Sequence, residues 1–305
     1  MIPFAYQVFR TVVIEGTFYK AALKLNVTPS AISHSINQLE SYLGFPVFNR
    51  SHSGVKLTQN GRIILPIIQD ILNSQDRLRQ EADNINGLNS GSIRIGAFSS
   101  ACINWLPPII QNFKKSYPNI QISVNQSGFN EIVQGVKNGT LDIGFTALPV
   151  SENVIVDKLV KDEIYCIAPQ GFVPKNQKSV TKSDIQKRTF ILQRGDYDLD
   201  TKATLDNYNI TPNSLQFSID DQSIIAMVEA GLGWGILPEL ALQQVRGNVA
   251  VYPFDKPFFR SIGLITSGVQ AKAPSTRNMI KEIKRFASQT YPDGILIERT
   301  KKADT

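Results

Sequence analysis

Cysteine, histidine and long apolar runs are scarce or missing in this chain of 305 residues. The only cysteines, Cys102 and Cys166, lie far apart and form no CxxC pair, so the sequence predicts neither a disulfide framework nor a zinc site. No run of about 18 consecutive apolar residues occurs, and the N-terminal segment lacks the basic start, apolar core and small-residue cleavage site of a secretory signal. We therefore expect a protein of the reducing cytoplasm that does not enter a membrane.

The shortage of histidine also argues against the common hydrolytic sites. His34 and His52 are the only histidines, and the chain contains no GxSxG, no HExxH and no GxGxxG after a predicted strand. A hydrolase built on serine and histidine would need a histidine in the remaining four fifths of the chain. We expect that the protein is not an enzyme and that it binds no cofactor. The alternatives are a cytosolic small-molecule-binding protein or enzyme without DNA function, and a solute-binding transport protein.

Positive charge is concentrated at one end of the chain. The whole sequence has 32 basic and 26 acidic residues, which gives a formal net charge of +6. Within residues 1–62, six basic residues stand against only Glu15 and Glu40, so this segment holds most of the excess. A basic segment joined to a nearly neutral body indicates a polyanionic partner at one end.

The first 58 residues have the pattern of three helices and a β-wing. Thr17 can cap the second helix, whose Ala21 and Ala22 are small enough for a steep helix crossing. Thr28 can cap the third helix, where Pro29 occupies the first helical position. One face of this third helix is apolar. The other face is polar and almost uncharged, and it consists of Ser30, Ser33, His34, Asn37 and Gln38.

This N-terminal pattern resembles the LysR-type bacterial transcriptional regulators. The resemblance rests on F-x₈-F-x-x-A-A-x-x-L, V-T-P-S-A-I-S-H-S-I-x-x-L-E-x-x-L-G, P-V-F-x-R and V-x-L-T-x-x-G. It implies that residues 1–58 form a winged helix-turn-helix domain whose third helix enters the major groove of promoter DNA by its N-terminal half. The residues then expected at base edges or phosphates are Thr28, Pro29, Ser30, Ser33, His34, Asn37 and Arg50.

Short polar side chains suit this role, because they allow close approach and can both donate and accept hydrogen bonds at base edges. The alternative is that Ser30 and Ser33 are simply solvated helix residues. Two positions depart from the family pattern, because His34 and Ser53 stand where members often carry a basic residue. Fewer positive charges imply weaker non-specific binding to phosphates, so we expect specific binding to depend more on oligomerisation.

A long linker helix is predicted over residues 59–90. Ile64, Ile71, Leu78 and Ile85 follow one another at intervals of one heptad, which favours a seam between two helices. The resemblance implies that this helix joins two heads in a homodimer, and that bodies assemble dimers into a homotetramer. The alternative is that the helix packs only on its own body.

Residues 91–305 alternate short apolar strands with helical segments, which indicates an α/β fold with helices on both faces of a sheet. LPPIIQNFKKSYPNIQISV, KNGTLDIGF and VEAGLGWGILPELA again resemble the LysR family. The resemblance implies two lobes similar to periplasmic binding proteins, with an effector between them. We expect lobe I at about 91–161 and 268–305, and lobe II at about 162–267. The fold class is therefore α/β, with an all-α winged helix-turn-helix head and a linker helix.

The effector residues are expected where strands end and helices begin. Ser99 and Ser100 form such a junction, whose N–H and O–H groups suit an anion and which has no neighbouring acid in the sequence. The full predicted set is Ser99, Ser100, Gln126, Ser127, Phe129, Asn130, Gln193 and Arg194. We expect a small anionic effector, with RNA polymerase as a further partner. The alternatives are that the two serines only cap a helix and that Arg194 is a surface charge.

Overall fold

The computed structural model describes residues 2–51, 54–86, 90–186, 188–193, 198–210, 214–217, 220–243 and 247–296. A helical head with a short β-wing comes first, followed by one long helix and two α/β lobes. The predicted α/β class with a winged helix-turn-helix head is confirmed, and the predicted β-wing of the head consists of two strands.

Three helices form the head: α1 (Ile2–Glu15), α2 (Phe18–Leu25) and α3 (Pro29–Leu43). Thr17 and Thr28 cap α2 and α3, because each Oγ1 atom accepts a hydrogen bond of 3.2 Å from a backbone N–H three residues later. Asn26 has a left-handed backbone with φ of 53°, which makes the turn between α2 and α3 short. Ala21 and Ala22 are buried, so the helices approach closely at their crossing.

The wing consists of β1 (Phe48–Ser51) and β2 (Gly54–Leu57), which pair antiparallel with Arg50 opposite Val55. Glu40 on α3 holds the start of the wing. Its Oε1 atom accepts hydrogen bonds from the backbone N–H groups of Val47 at 2.8 Å and of Phe48 at 3.4 Å. The wing is therefore fixed directly to the third helix.

The long helix α4 spans Gln59–Ile85 and continues through Pro66. Thr58 caps it by accepting the N–H of Gly61 at 2.9 Å. Ile68 and Leu72 are buried with the apolar residues of the head, so the first half of α4 packs as part of the head.

Two lobes follow α4, and their elements alternate as the sequence predicts. The strands are β3 (Gly91–Ala97), β4 (Ile120–Gln126), β5 (Ile143–Leu148), β6 (Ile155–Pro169), β7 (Phe190–Gln193), β8 (Ser214–Phe217), β9 (Gly235–Pro238), β10 (Val249–Pro253), β11 (Phe259–Thr266) and β12 (Ile295–Leu296). The helices are α5 (Ser99–Asn104), α6 (Leu106–Ser116), α7 (Phe129–Lys137), α8 (Lys182–Ile185), α9 (Leu199–Asn207), α10 (Asp221–Glu229), α11 (Glu239–Leu242) and α12 (Pro274–Thr290).

One long strand, β6, serves both lobes. In lobe I the strand order is β6-β11-β5-β3-β4, with β3 parallel to both of its neighbours and β11 antiparallel to β5 and β6. Beyond residue 163 the same strand enters lobe II, where it pairs antiparallel with β9 and β10. β7 and β8 form a separate parallel pair in lobe II.

The boundary of the lobes differs from the predicted one on the return path. We expected lobe II to extend to Ser267, but β11 pairs along its length with lobe I strands β5 and β6. Ile262, Leu264 and Ile265 lie in the buried core of lobe I. The chain therefore returns to lobe I before Phe259, and residues 259–266 belong to that lobe.

Candidate DNA-binding surface and effector cleft

The third helix has one buried and one exposed face. Its buried residues are Ile32, Ser35, Ile36 and Leu39. The predicted DNA-binding residues of the helix lie on the remaining surface, where Thr28, Pro29, Ser30, His34 and Asn37 are exposed and Ser33 is half-buried. The structure therefore brings these six residues to one surface at the N-terminal half of α3.

His34 and Gln38 interact on this surface. The Nε2 atoms of the two side chains lie 3.1 Å apart, one helical turn from each other. This distance is that of a hydrogen bond, which holds the imidazole of His34 beside the amide of Gln38. The backbone of Arg50 lies in β1 beside α3, and its side chain lies outside the described residues.

The first part of the predicted effector set meets at one edge of the lobe I sheet. β3 and β4 are parallel neighbours, with Ala97 opposite Gln126, so the residues that follow both strands lie side by side. Ser127 donates its backbone N–H to the carbonyl of Ala97 at 3.2 Å. Helices α5 and α7 begin here, and the rings of Phe98 and Phe129 lie 5.2 Å apart between them. The crevice beyond the carboxyl ends of parallel strands is a common ligand position in α/β proteins.

The hydroxyls of the two serines have different surroundings. Ser99 is half-buried, whereas Ser100 is buried and its Oγ lies 3.5 Å from a nitrogen of Arg260 on β11. Arg260 in turn donates from Nε to Asp162 at 2.8 Å and stacks 5.0 Å from the ring centre of Phe98. The hydroxyl of Ser100 therefore points to a buried ion pair, and Ser99 is the serine of this junction with an accessible surface.

The buried ion pair brings an acid close to the predicted anion site, which the local sequence does not reveal. Asp162 is fully buried and also accepts the backbone N–H of Leu240 at 3.0 Å. Burial raises the pKa of Asp162, although Arg260 opposes the shift. Burial likewise raises the pKa of Asp221 at the start of α10, where Arg260 lowers and Asp162 raises it. The positive charge of Arg260 is therefore already shared with carboxylates.

The lobe II side of the predicted effector set is less fully described. Gln193 is the last residue of β7, with a described backbone, and Arg194 lies outside the described residues. Asn104 at the end of α5 connects the lobes, because its Nδ2 donates to the carbonyl of Leu240 at 2.7 Å. A buried Oγ of Ser127 and a buried Oδ1 of Asn104 have no hydrogen-bond partner among the residues that the structure describes.

The linker helix has two different faces. Leu78 and Ile85 of the predicted seam are 72% and 86% exposed, and Ile63 and Ile67 are also exposed on this side. We name these four residues the exposed apolar stripe. Ile64 and Ile71 are half-buried, and Ile64 packs on the apolar cluster of the head.

The opposite face of α4 is buried against the body. Gln69, Asn73 and Gln80, which we name the docking stripe, are 1%, 1% and 7% exposed. At about 100° per residue, these positions lie roughly opposite Leu78 on the helix. One face of α4 therefore packs on the body of its own chain, as the alternative prediction required, while the opposite face stays exposed. The sequence does not reveal this stripe, because amide side chains in a long helix are usually solvated.

Comparison with known proteins identifies both parts of the chain. Residues 5–62 match the family model "Bacterial regulatory helix-turn-helix protein, lysR family", and residues 86–288 match the model "LysR substrate binding domain". The chain belongs to the LysR family. It is a LysR-type transcriptional regulator with a DNA-binding helix-turn-helix and an effector-binding domain.

Known LysR-family proteins match over nearly the whole chain. The probable HTH-type transcriptional regulator LrrA of Synechococcus elongatus is 29% identical over 291 residues, which cover 94% of this chain and 98% of that protein. Full-length OxyR from Pseudomonas aeruginosa has the same fold, with a TM-score of 0.74, 22% identity and 94% of each chain covered. CbnR in complex with its target DNA has a TM-score of 0.63 and 21% identity, with 94% of this chain and all of that one covered.

Within the described part of this LysR-family chain, no cluster of three or more His, Cys, Asp or Glu residues is arranged to hold a metal ion. Of the helices in the described ranges, none combines the length and apolar character needed to cross a membrane.

Proposed function

We propose that this LysR-family regulator reads promoter DNA through the N-terminal half of α3. The observation that carries this proposal is the exposed polar surface of Thr28, Pro29, Ser30, His34 and Asn37 on a helix whose other face is fixed in the head core. Such a surface suits close approach to base edges. Arg50 would add a phosphate contact from the wing.

Two copies of the chain are needed for this reading, because one recognition helix covers only one half-site. The exposed apolar stripe on α4 supports a homodimer, since Leu78 and Ile85 would be covered by a second helix with the same heptad spacing. CbnR, a LysR-family transcriptional regulator with the same fold, is bound to its target DNA in one of the similar structures. We extend the proposal to a homotetramer through the bodies, with RNA polymerase as a partner at the promoter and the cytoplasm as location.

The effector that we propose is a small anion held between the lobes. Ser99, Gln126 and Ser127 supply neutral donors at one edge of lobe I, and the buried hydroxyl of Ser127 lacks a partner among the described residues. Because Arg260 is neutralised by Asp162, Arg260 itself would contribute little attraction to the anion, which these neutral donors would bind by hydrogen bonds. Phe129, Asn130, Gln193 and Arg194 complete the proposed lining.

Gel-shift experiments with fragments of the source genome test the DNA proposal. The regulator should select a small number of fragments over the bulk, and footprinting should reveal two half-sites about one or more helical turns apart. The alternative, a small-molecule-binding protein or enzyme without DNA function, requires that no fragment is preferred over random DNA at any salt concentration.

Thermal-shift screening with small carboxylates and their corresponding neutral amides tests the effector proposal. A carboxylate should raise the unfolding temperature where its amide does not, and Ser127→Ala should remove that rise. Ser288→Ala, an exposed serine on α12, is the control because the same hydroxyl is lost far from the cleft. Stabilisation by amides or amines but not by carboxylates would contradict an anionic effector.

A further inference from the structure

Lobe II contains a cavity that is separate from the proposed effector cleft. Its volume is about 220 Å³, and it lies between α8, the start of β7 and the residues that follow α9. We name this cavity the outer pocket. Phe190, the first residue of β7, lines it, whereas Gln193 of the proposed effector lining is the last residue of the same strand. At about 3.3 Å per residue, the two ends of β7 are about 10 Å apart.

The floor of the outer pocket is apolar and held in place by aromatic packing. Its four buried lining residues all belong to the apolar cluster of lobe II and are Ile185, Phe190, Tyr208 and Ile210. The ring of Phe190 lies 6.0 Å from that of Trp234, and the ring of Tyr208 lies 4.6 Å from that of Phe254. The hydroxyl of Tyr208 donates to Asp255, so it is already satisfied without a ligand.

The rim of the pocket is polar and positively charged. Its exposed lining residues are Lys182, Gln186, Arg188 and Asn209. The guanidinium of Arg188 stacks 5.1 Å from the ring centre of Trp234, which fixes the position of this charge. Asn209 has a left-handed backbone with φ of 51°, so the chain turns sharply after α9 and brings this side chain to the rim. Two cations and two amides therefore surround an apolar floor.

The two cations of the rim have no acidic partner. Among the residues that the structure describes, neither Lys182 nor Arg188 forms an ion pair, and none of the residues that line the pocket is acidic. Asp184 on α8 is buried and already accepts the backbone N–H and the hydroxyl of Thr181, at 2.9 and 2.6 Å. This rim therefore differs from the effector cleft, where a carboxylate neutralises Arg260.

The size and chemistry of the outer pocket define the class of molecule that fits it. An apolar cavity of about 150 Å³ holds benzene, so about 220 Å³ leaves room for one ring and a short anionic group. The volume is below the roughly 300–1,000 Å³ of pockets for drug-sized ligands. A carboxylate matches the planar guanidinium of Arg188, which can bind both of its oxygens.

We propose that the outer pocket is a second ligand site, and that it binds a small aromatic carboxylate. The ring lies against Phe190 and Tyr208, and the carboxylate lies between Lys182 and Arg188. The two ends of β7 keep this ligand apart from the effector, so both sites can be occupied together. The inference requires neither DNA binding nor an anion in the effector cleft.

The two tryptophans of the chain allow binding to be located. Trp234 touches both Phe190 and Arg188, whereas Trp105 lies in the core of lobe I. Fluorinated tryptophan is incorporated into the full-length protein, Trp105→Phe assigns the two signals, and phenylacetate is titrated while fluorine NMR is recorded. We expect the signal of Trp234 to move to a saturating value. Phenylacetamide, which lacks the charge, and acetate, which lacks the ring, should leave that signal in place over the same concentrations.

Charge-removing variants test the rim. Lys182→Met and Arg188→Met should each weaken phenylacetate binding several-fold, as expected for exposed charges, and the double variant should abolish the saturable movement. The matched control removes two exposed lysines outside the pocket, Lys202→Met on α9 with Lys115→Met on α6, and should bind like the parent. Because Arg188 stacks on Trp234, its loss can disturb lobe II. Lys182→Met then decides, since no described residue contacts its charge.

Three results would overturn the proposal: a Trp234 signal that phenylacetate does not move, an equal movement with phenylacetamide, or an undiminished movement in a folded Lys182→Met protein. Ser127→Ala separates the outer pocket from the effector cleft. This variant should bind phenylacetate at Trp234 like the parent, and loss of the movement would place the probe in the cleft and contradict a second site. Failure to select DNA fragments would contradict the proposed function alone and would leave this titration unaffected.

Discussion

Arg260 and Asp162 form a buried ion pair at the point where the two lobes join. The guanidinium Nε donates to Oδ2 at 2.8 Å and a terminal nitrogen lies 2.7 Å from the same oxygen, with side chains 6% and 0% exposed. Arg260 also lies against the ring of Phe98, which directly precedes α5, and against Ser100 in the first turn of α5. The pair therefore links the strand that returns from lobe II to the edge of the sheet where the effector is proposed to bind.

Arg260→Met should destabilise the protein strongly. Removing one partner leaves Asp162 buried without its counter-charge, a change that costs about 3–5 kcal/mol. Lys284→Ala is the control, because it breaks the half-exposed pair with Asp157 and should change stability little. Urea denaturation followed by tryptophan fluorescence measures both. Equal, small shifts of the two midpoints would contradict a structural role for the buried pair.

The same variant should show a distinctive dependence on pH. Burial raises the pKa of Asp162, and without Arg260 the opposing charge is lost. A carboxyl whose pKa is raised on folding binds its proton more tightly in the folded state, so stability falls as pH rises from its unfolded pKa to its folded pKa. Arg260→Met should therefore be closest to the parent at acidic pH and lose stability progressively towards neutral pH. A loss that is independent of pH would contradict this assignment.

Leu78→Asp should weaken dimerisation without unfolding the chain. Leu78 is 72% exposed in the single chain, so a charge there costs little until a second helix covers it. Arg79→Gln is the control, because it changes the net charge by the same amount at an exposed position about 100° around the helix. Analytical ultracentrifugation should reveal a larger fraction of small assemblies in Leu78→Asp alone. Identical assembly in both variants would place the dimer contact elsewhere.

Cys102 should react slowly with alkylating reagents. Burial raises the pKa of its thiol, which donates to the carbonyl of Ala97 at 3.5 Å, so the reactive thiolate is scarce near neutral pH. Iodoacetamide should modify Cys102 more slowly than it modifies a free small-molecule thiol, with a rate that increases at alkaline pH. Cys166 is fully buried and should react only after unfolding. Rapid modification of Cys102 at neutral pH would contradict the described environment.

Local patterns predicted the elements well because their causes are local. Thr28 caps α3 and Pro29 occupies its first position, as predicted, and the predicted strands of both lobes are present. Strand β11 was assigned to the wrong lobe, because its apolar alternation is equally compatible with either sheet. Only its pairing with β5 and β6 decides its place, and that pairing joins residues far apart in the sequence.

The environment of the candidate effector site could not be predicted for the same reason. Asp162 and Arg260 are separated by 98 residues, so no local pattern indicates that they meet beside Ser100. Their contact reverses the expectation that no acid lies near the serines. The docking stripe was also missed, because Gln69, Asn73 and Gln80 differ from solvated helix residues only through the surface of lobe I that covers them.

Whether α3 reads DNA sequence can be measured by comparing the binding of Ser33→Ala and Ser41→Ala to two DNAs. Both variants remove one hydroxyl from α3, but Ser41 lies near the C-terminal end of the helix. Fluorescence anisotropy at fixed salt measures affinity for the cognate operator and for random DNA. Loss of a base contact worth about 1–3 kcal/mol corresponds to roughly 5- to 150-fold weaker binding.

We expect Ser33→Ala to bind the cognate operator more weakly by this amount and to bind random DNA like the parent, while Ser41→Ala binds both like the parent. Equal losses on cognate and random DNA, or no loss in Ser33→Ala, would contradict sequence reading by the N-terminal half of α3.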